Sequence, residues 1–517
     1  MKRLSRSVIF FSLWFMAVAN HSQAQTIDEE HAKTDGESKP QLIDEQLSET
    51  RHTAQIGGAE IAYTATVGRI RLKDDKDNQR AQIYYFAYIR DGVADVRRRP
   101  ITFSFNGGPG SSSVWLHMGL MGPKRVPLPD DASLPAPPYS LVANEHSLLD
   151  VTDIVMIDPV STGVSREAGE AEAKEFHGYE EDIRSVGDFI ERFVTTKNRW
   201  QSPKFLLGES YGTTRAAGLA SELQDRHGMY LNGIAMVSTV LNFQTIRFGA
   251  GNDLPYVLFL PSYTATAWYH NRLNARLQSD LHKTLSAVED FATSEYSIAL
   301  LEGDRIGDAR RKKIVAELAR FTGLSEDFIE RNNLRVSMSR FAKELLRDRR
   351  RTTGRLDSRY VGIDRDAAGE SYQYDPADAA ITGPYTALLN EYLRNDLRFE
   401  LPRKYNISGS VRPWNYDVFT NRYVDASESL RSAMSQNPVL KVFVASGYYD
   451  LATPYFASDY TYHNLSLDAA LRENVTFGYY EAGHMMYIHG PSLASLKTDL
   501  AAFYQDALAA KANDDVD

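Results

Sequence analysis

The chain contains no cysteine in its 517 residues. A disulfide framework and thiolate-held metals are therefore excluded, and packing with hydrogen bonds must hold the fold. Also missing are a Gly-x-x-x-x-Gly-Lys phosphate loop, a His-Glu-x-x-His metal helix and any Cys/His cluster. No cofactor and no metal are expected. A net charge of −10 offers no basic footprint for nucleic acid. Beyond the first two dozen residues, no run is long and apolar enough to span a bilayer. What is present is apolar residue in quantity, 43% of the chain, enough for a large core and more than one folded unit.

The amino terminus reads as an address. Lys2, Arg3 and Arg6 precede an apolar run from Val8 to Ala19, and Ser22-Gln23-Ala24 supplies a small-x-small cleavage site. Residues 1–24 thus fit a secretory signal peptide, and a mature protein that is exported, periplasmic or secreted, with no stable membrane insertion after cleavage. Residues 25–50 read as an acidic, mobile linker, and residues 513–517 as a loose tail.

Between them, short apolar runs alternate with helical periodicity. Glu60 to Arg71 and Ala81 to Arg90 suggest amphipathic strands; Ile101 to Phe105 and Asp153 to Asp158 suggest buried ones ending in Gly/Pro/Asp loops. Tyr179 to Thr196 repeats Ile183, Val186, Ile190 and Phe193 at helical spacing. This alternation predicts an α/β fold, a mainly parallel sheet with helices on both faces. Its first part spans residues 51–240. Residues 241–430 read as a helical cap insertion, with helices over Asp308 to Phe321, Ser325 to Arg347 and Pro376 to Leu397. The run Arg347-Asp348-Arg349-Arg350-Arg351 reads as a solvated helix end. The sheet resumes over residues 431–512, with strands Leu440 to Ala445 and Val475 to Tyr480 and a last helix from Leu493 to Ala509.

One stretch organises the rest. Phe205 to Leu207 is a short apolar strand that runs into Gly208-Glu209-Ser210-Tyr211-Gly212 and then a helix from Thr213. Gly-x-Ser-x-Gly between a strand and a helix is a nucleophile elbow, with Ser210 exposed on a sharp turn. A serine needs a base and an acid, ordered Ser, acid, His in this fold. Five other histidines follow Ser210, namely His227, His270, His282, His463 and His489, but only His484 directly follows a candidate core strand; His489 is its rival. The preceding strand leads into Ser446-Gly447-Tyr448-Tyr449-Asp450, which nominates Asp450, with Asp459 as the weaker candidate. Asp158 ends a strand too but precedes the serine, and reads as tying down its own loop. The oxyanion of an acyl-transfer reaction needs two backbone donors. The amide after the nucleophile, Tyr211, is one; the glycine-rich loop from Phe105 to Ser113 should carry the other.

Asn106-Gly107-Gly108-Pro109-Gly110-Ser111-Ser112-Ser113 resembles the Asn-Gly-Gly-Pro-Gly-Cys-Ser-Ser loop of serine carboxypeptidases, and Gly208 to Gly212 matches that family's Gly-Glu-Ser-Tyr-Gly. The segment Asp153 to Ser165 and the motifs Gly447 to Asp450 and Gly483-His484-Met485 are similar to family motifs and occur in family order. The resemblance implies an α/β-hydrolase that removes C-terminal residues from peptides, its partner being a peptide with a free C-terminal carboxylate. It assigns Ser210, Asp450 and His484 to the triad and the amides of Gly108 and Tyr211 to the oxyanion hole. It gives the substrate carboxylate to the Asn106 side chain, the Gly107 amide and the Glu209 carboxyl. Members of the family also act as esterases or acyltransferases, and a binding protein with a dead site is a further class. Leu120 stands where the family commonly has a second glutamate paired with the one before the serine, which puts the usual acidic optimum in doubt.

Overall fold

The computed structural model describes residues 45–509. The signal segment 1–24, residues 25–44 of the linker and the tail 513–517 lie outside the described residues. The end of the linker does not: Glu45–Ile56 is a strand, β1, paired antiparallel with β2 (Ala59–Lys73). The boundary at residue 50 is thereby corrected to before residue 45. A strand at the sheet edge has one face and one ladder in solvent, so its polar composition resembles that of a linker.

Seven more strands follow: β3 (Gln79–Arg90), β4 (Ile101–Phe105), β5 (Asp153–Ile157), β6 (Lys204–Glu209), β7 (Gly233–Val237), β8 (Lys441–Gly447) and β9 (Val475–Tyr480). They join in the order β1-β2-β3-β5-β4-β6-β7-β8-β9, and the two-residue strand Arg166–Glu167 pairs with β3 to make ten. From β5 to β9 every neighbour is parallel; β1, β2 and β3 extend the sheet antiparallel on one side. The sheet is therefore mixed, with a parallel half that carries the elbow.

The inner parallel strands β4 to β8 are buried on both faces, which is why they read as unbroken apolar runs, whereas β9, at the sheet edge, is partly exposed. In β6, Phe205 and Leu207 point into one core and Leu206 into the other. Helices α1 (Tyr179–Thr196), α2 (Tyr211–His227) and, further on, α5 (Ser427–Gln436) cover one face. The last helix, α6 (Gly490–Ala509), covers the other. Each large apolar side chain so buried contributes roughly 1.5–3 kcal/mol.

The insertion divides in two. Helix α3 (Leu254–Tyr269) and the helices Leu281–Phe291, Asp308–Thr322 and Met338–Glu344 enclose a hydrophobic cluster of their own. That cluster also takes in Tyr449, Leu451 and Tyr455 from just after β8. Helix α4 (Pro376–Asn395) instead sends Ile381, Tyr385, Leu389 and Tyr392 into the core beneath the sheet. The expected cap of residues 241–430 is corrected accordingly: its second half packs with the hydrolase core, and α5, which straddles residue 430, covers the sheet. The helix expected over Ser325 to Arg347 is two, Glu326–Arg331 and Met338–Glu344, because Asn333 and Leu334 turn left-handed with φ of 50° and 64°. Among the described residues no helix is long and apolar enough to cross a membrane.

Candidate active site

Ser210 sits between the end of β6 and the start of α2, at φ 59° and ψ −128°. A non-glycine residue there costs on the order of 1–3 kcal/mol and persists only where its surroundings impose it. Here they do. The Ser210 amide donates to Val237 O (3.0 Å), and its carbonyl accepts from Thr213 N (2.8 Å). The turn is tight enough that a Cβ on Gly208 would lie 2.3 Å from the carbonyl oxygen of Gly212.

His484 follows β9, and its backbone is fixed at both ends. Its amide donates to Leu356 O (2.6 Å) and its carbonyl accepts from Ser238 Oγ (2.6 Å). Its Nδ1 lies 2.7 Å from Asp450 Oδ2. Asp450, fully buried after β8, also accepts from the amides of Ala452 (2.7 Å) and Thr453 (3.0 Å) and from Thr453 Oγ1 (2.8 Å). Burial works to lower the His484 pKa, but the charge and hydrogen bond of Asp450, with a smaller push from Glu209, raise it above 6.5. The rivals have other partners. His489 pairs with Ser492 Oγ (2.7 Å) at the start of α6, and Asp459 accepts from Tyr479 Oη (2.9 Å) on the helix Tyr455–His463.

The glycine-rich loop lies directly against the elbow. A Cβ on Gly107 would come within 2.4 Å of the Tyr211 nitrogen, so only glycine permits this approach. Gly108, Ser210 and Tyr211 border one cavity of about 300 Å³. The loop is tied down by Asp158, which accepts from the amide and hydroxyl of Ser113 (2.8 Å each) and from Tyr405 Oη (2.7 Å). The Asp158 carboxylate thus secures the glycine-rich loop rather than its own, which Ser165 Oγ closes by donating to the Asp158 carbonyl (2.7 Å).

Asn106 and Glu209 stand behind the serine, 0% and 3% exposed. Asn106 Nδ2 donates to Glu209 Oε1 (2.9 Å), and Tyr487 Oη donates to Glu209 Oε2. Burial raises the Glu209 pKa to about 7, against the opposing pull of His484 and of the Tyr487 and Asn106 hydrogen bonds. The neighbour of Glu209 that sequence reasoning missed is therefore Tyr487, three residues after His484. Leu120 is buried in the apolar core.

Arg215 was missed as well, although it left a signal: a lone charge in the apolar run Thr213 to Ala220 must find a buried partner. Its Nε donates to Asp182 Oδ2 (2.7 Å), with both side chains at most 2% exposed. Its Nη1 donates to Asn106 O (2.6 Å), which pins the start of the glycine-rich loop. Thr453, beside both Asp450 and His484 (3.2 Å to Nδ1), gave no sequence signal.

A parallel sheet carrying a Gly-x-Ser-x-Gly elbow, with the acid and histidine on the loops after later strands, defines an α/β-hydrolase. Residues 68–482 match the family model described as serine carboxypeptidase. The chain belongs to that family. Among curated proteins it is 28% identical over 204 residues to serine carboxypeptidase-like 45 of Arabidopsis thaliana, covering 38% of this chain and 40% of that protein. It is 30% identical over 145 residues to the pheromone-processing carboxypeptidase KEX1 of Saccharomyces cerevisiae (strain JAY291), covering 27% of this chain and 18% of that protein. The chain thus spans less than half the length of either relative. The crystal structure of the prohormone-processing carboxypeptidase KEX1(delta)p from Saccharomyces cerevisiae shares the fold, at 16% identity and a TM-score of 0.53, over 86% of this chain and 92% of that one.

Proposed function

We propose that the protein is an exported serine carboxypeptidase, which removes C-terminal residues from peptides through an acyl-enzyme. The observation that supports this reading is the strained Ser210 on a cavity wall shared with Gly108, Tyr211 and Thr453, the last of which also contacts the paired Asp450 and His484. Asp450 holds the Nδ1–H tautomer of His484 and leaves Nε2 free to take the Ser210 proton as Oγ attacks the scissile carbonyl. The amides of Gly108 and Tyr211 receive the oxyanion, with the positive end of α2 behind them. His484 returns the proton to the departing amine, then activates the water that hydrolyses the ester. The Asn106 side chain, the Gly107 amide and a protonated Glu209 hold the substrate's terminal carboxylate. A carboxylate bound there would take the place of one of the hydrogen bonds that Asn106, Glu209 and Tyr487 now share.

Two measurements test this. One peptide offered as free acid and as C-terminal amide should differ in kcat/KM by about tenfold or more in favour of the acid, the scale of a charge-assisted hydrogen bond. Equal rates, or cleavage at internal bonds, would favour the esterase or acyltransferase reading, which uses the same triad.

The second concerns pH. Glu209 must be protonated to donate, and His484 must be neutral to act as base. With His484 raised above 6.5 and Glu209 raised to about 7, kcat/KM for peptide acids should rise as His484 loses its proton and fall as Glu209 ionises. The result is a narrow bell near neutrality. Esters without a terminal carboxylate should show the rise alone. Glu209→Gln should abolish the fall, and by removing a negative charge near His484 it should move the rise to lower pH. An unchanged alkaline limb in that variant would return Glu209 to a purely structural role.

A further inference from the structure

The cavity in front of Ser210 has an asymmetric wall. Phe243, Phe248 and Phe259 supply an apolar side, while Arg247 and Arg355 border the same space as Ser210. Among the described residues no carboxylate borders it. Arg355 is close enough for its positive charge to oppose protonation of His484. Among the described residues its one ion-pair partner, Asp375, stands 3.9 Å from Nε. The oxygens of Asp375 already accept from the amides of Arg355 (3.0 Å), Leu356 (3.0 Å) and Ala377 (3.1 Å), so the guanidinium keeps its donors for a ligand. Arg247 makes no ion pair among the described residues and lies 5.7 Å from the centre of the Phe243 ring, while Asn252 holds its backbone carbonyl (2.8 Å). Two under-compensated cations beside an apolar wall, next to a nucleophile, form a receptor for a carboxylate on a short aliphatic stem.

We propose that this cleft selects peptides with an aspartate or glutamate side chain flanking the scissile bond, and that Arg247 and Arg355 receive that carboxylate. The proposal rests on the carboxypeptidase reading and names its substrate class. It concerns other residues than the terminal-carboxylate reading: Arg247 and Arg355 line the cavity, whereas Asn106 and Glu209 are buried outside its lining, and the acid-against-amide comparison below separates the two roles.

The test uses N-acylated dipeptide acids with Glu, Gln or Lys at the penultimate position before phenylalanine, and a second set with the order reversed. In at least one set the wild type should favour Glu over Gln by about tenfold or more in kcat/KM, and disfavour Lys further. The preference should shrink as salt screens the charges. Arg355→Gln and Arg247→Gln should each lower the Glu-to-Gln ratio severalfold, the double variant should bring it near unity, and Arg355→Lys should retain part of it. A wild-type ratio near unity in both sets would overturn the proposal, as would variants that slow Glu and Gln substrates equally. So would variants that lose the preference for peptide acids over amides while the Glu-to-Gln ratio stays intact. If no peptide acid is cleaved although Ser210 reacts with a fluorophosphonate, the carboxypeptidase reading falls. The comparison of N-acyl-Glu with N-acyl-Gln methyl esters then decides the role of the arginines by the same ratio.

Discussion

Replacing Ser210 by alanine should abolish labelling by a fluorophosphonate and lower kcat on the order of 10⁴- to 10⁶-fold, with the circular dichroism spectrum unchanged. The size follows from the chemistry. Without Oγ no acyl-enzyme forms, and only the oxyanion donors and substrate binding remain to accelerate direct attack by water. Asp450→Asn keeps the shape of the acid but can hold the wrong imidazole tautomer, so a loss of about 10⁴-fold is expected. The proposed mechanism makes His484, Asp450 and Ser210 one unit, so pairs of substitutions should cost little more than the worse of the two alone. Covalent labelling of the Ser210→Ala protein at the wild-type rate would remove Ser210 from the mechanism.

The largest effect on stability is expected at Arg215. Arg215→Met leaves the Asp182 carboxylate buried without its cation, and the fold should lose about 3–5 kcal/mol in denaturant titrations. The double variant Asp182→Leu/Arg215→Met removes both charges and should recover most of that loss. It should not recover activity in proportion, because the carbonyl of Asn106 still lacks the Arg215 donor that fixes the glycine-rich loop. A single-variant loss below about 1 kcal/mol would mean that Asp182 takes up a proton or water there at little cost.

The legible parts of this chain were those whose physics is local. The turn at Ser210 demands glycine two residues either side, and the buried parallel strands demand unbroken apolar runs; both show in the primary structure. The loop carrying Asp450 was legible because it follows such a strand; the loop carrying His484 follows the partly exposed edge strand β9, whose Val-Thr-Phe-Gly-Tyr-Tyr run still reads as a strand from its β-branched and aromatic residues. Strand β1 was not, since half of an edge strand's groups face water and its composition is that of a linker. Tyr487 was hidden for a different reason. Its partner Glu209 is 278 residues away, and nothing in Gly-His-Met-Met-Tyr marks that hydroxyl as the neighbour of a carboxyl. The division of the insertion was equally invisible, because α4 is amphipathic whichever core receives its apolar face.

The cluster enclosed by α3 and its neighbours includes Tyr449 and Leu451, the residues on either side of Asp450. Asp450, the proposed catalytic acid, is thus held between two anchors sunk in the insertion. A swinging lid must leave the catalytic groups undisturbed when it opens, and this wall could not move away without dragging the acid from its histidine. On the proposed mechanism, substrate would enter through a standing aperture, selected by its dimensions and charge, rather than past a gate. Turnover and the integrity of the insertion would then be one property: a variant that loosens those helices should lose activity before it loses the fold.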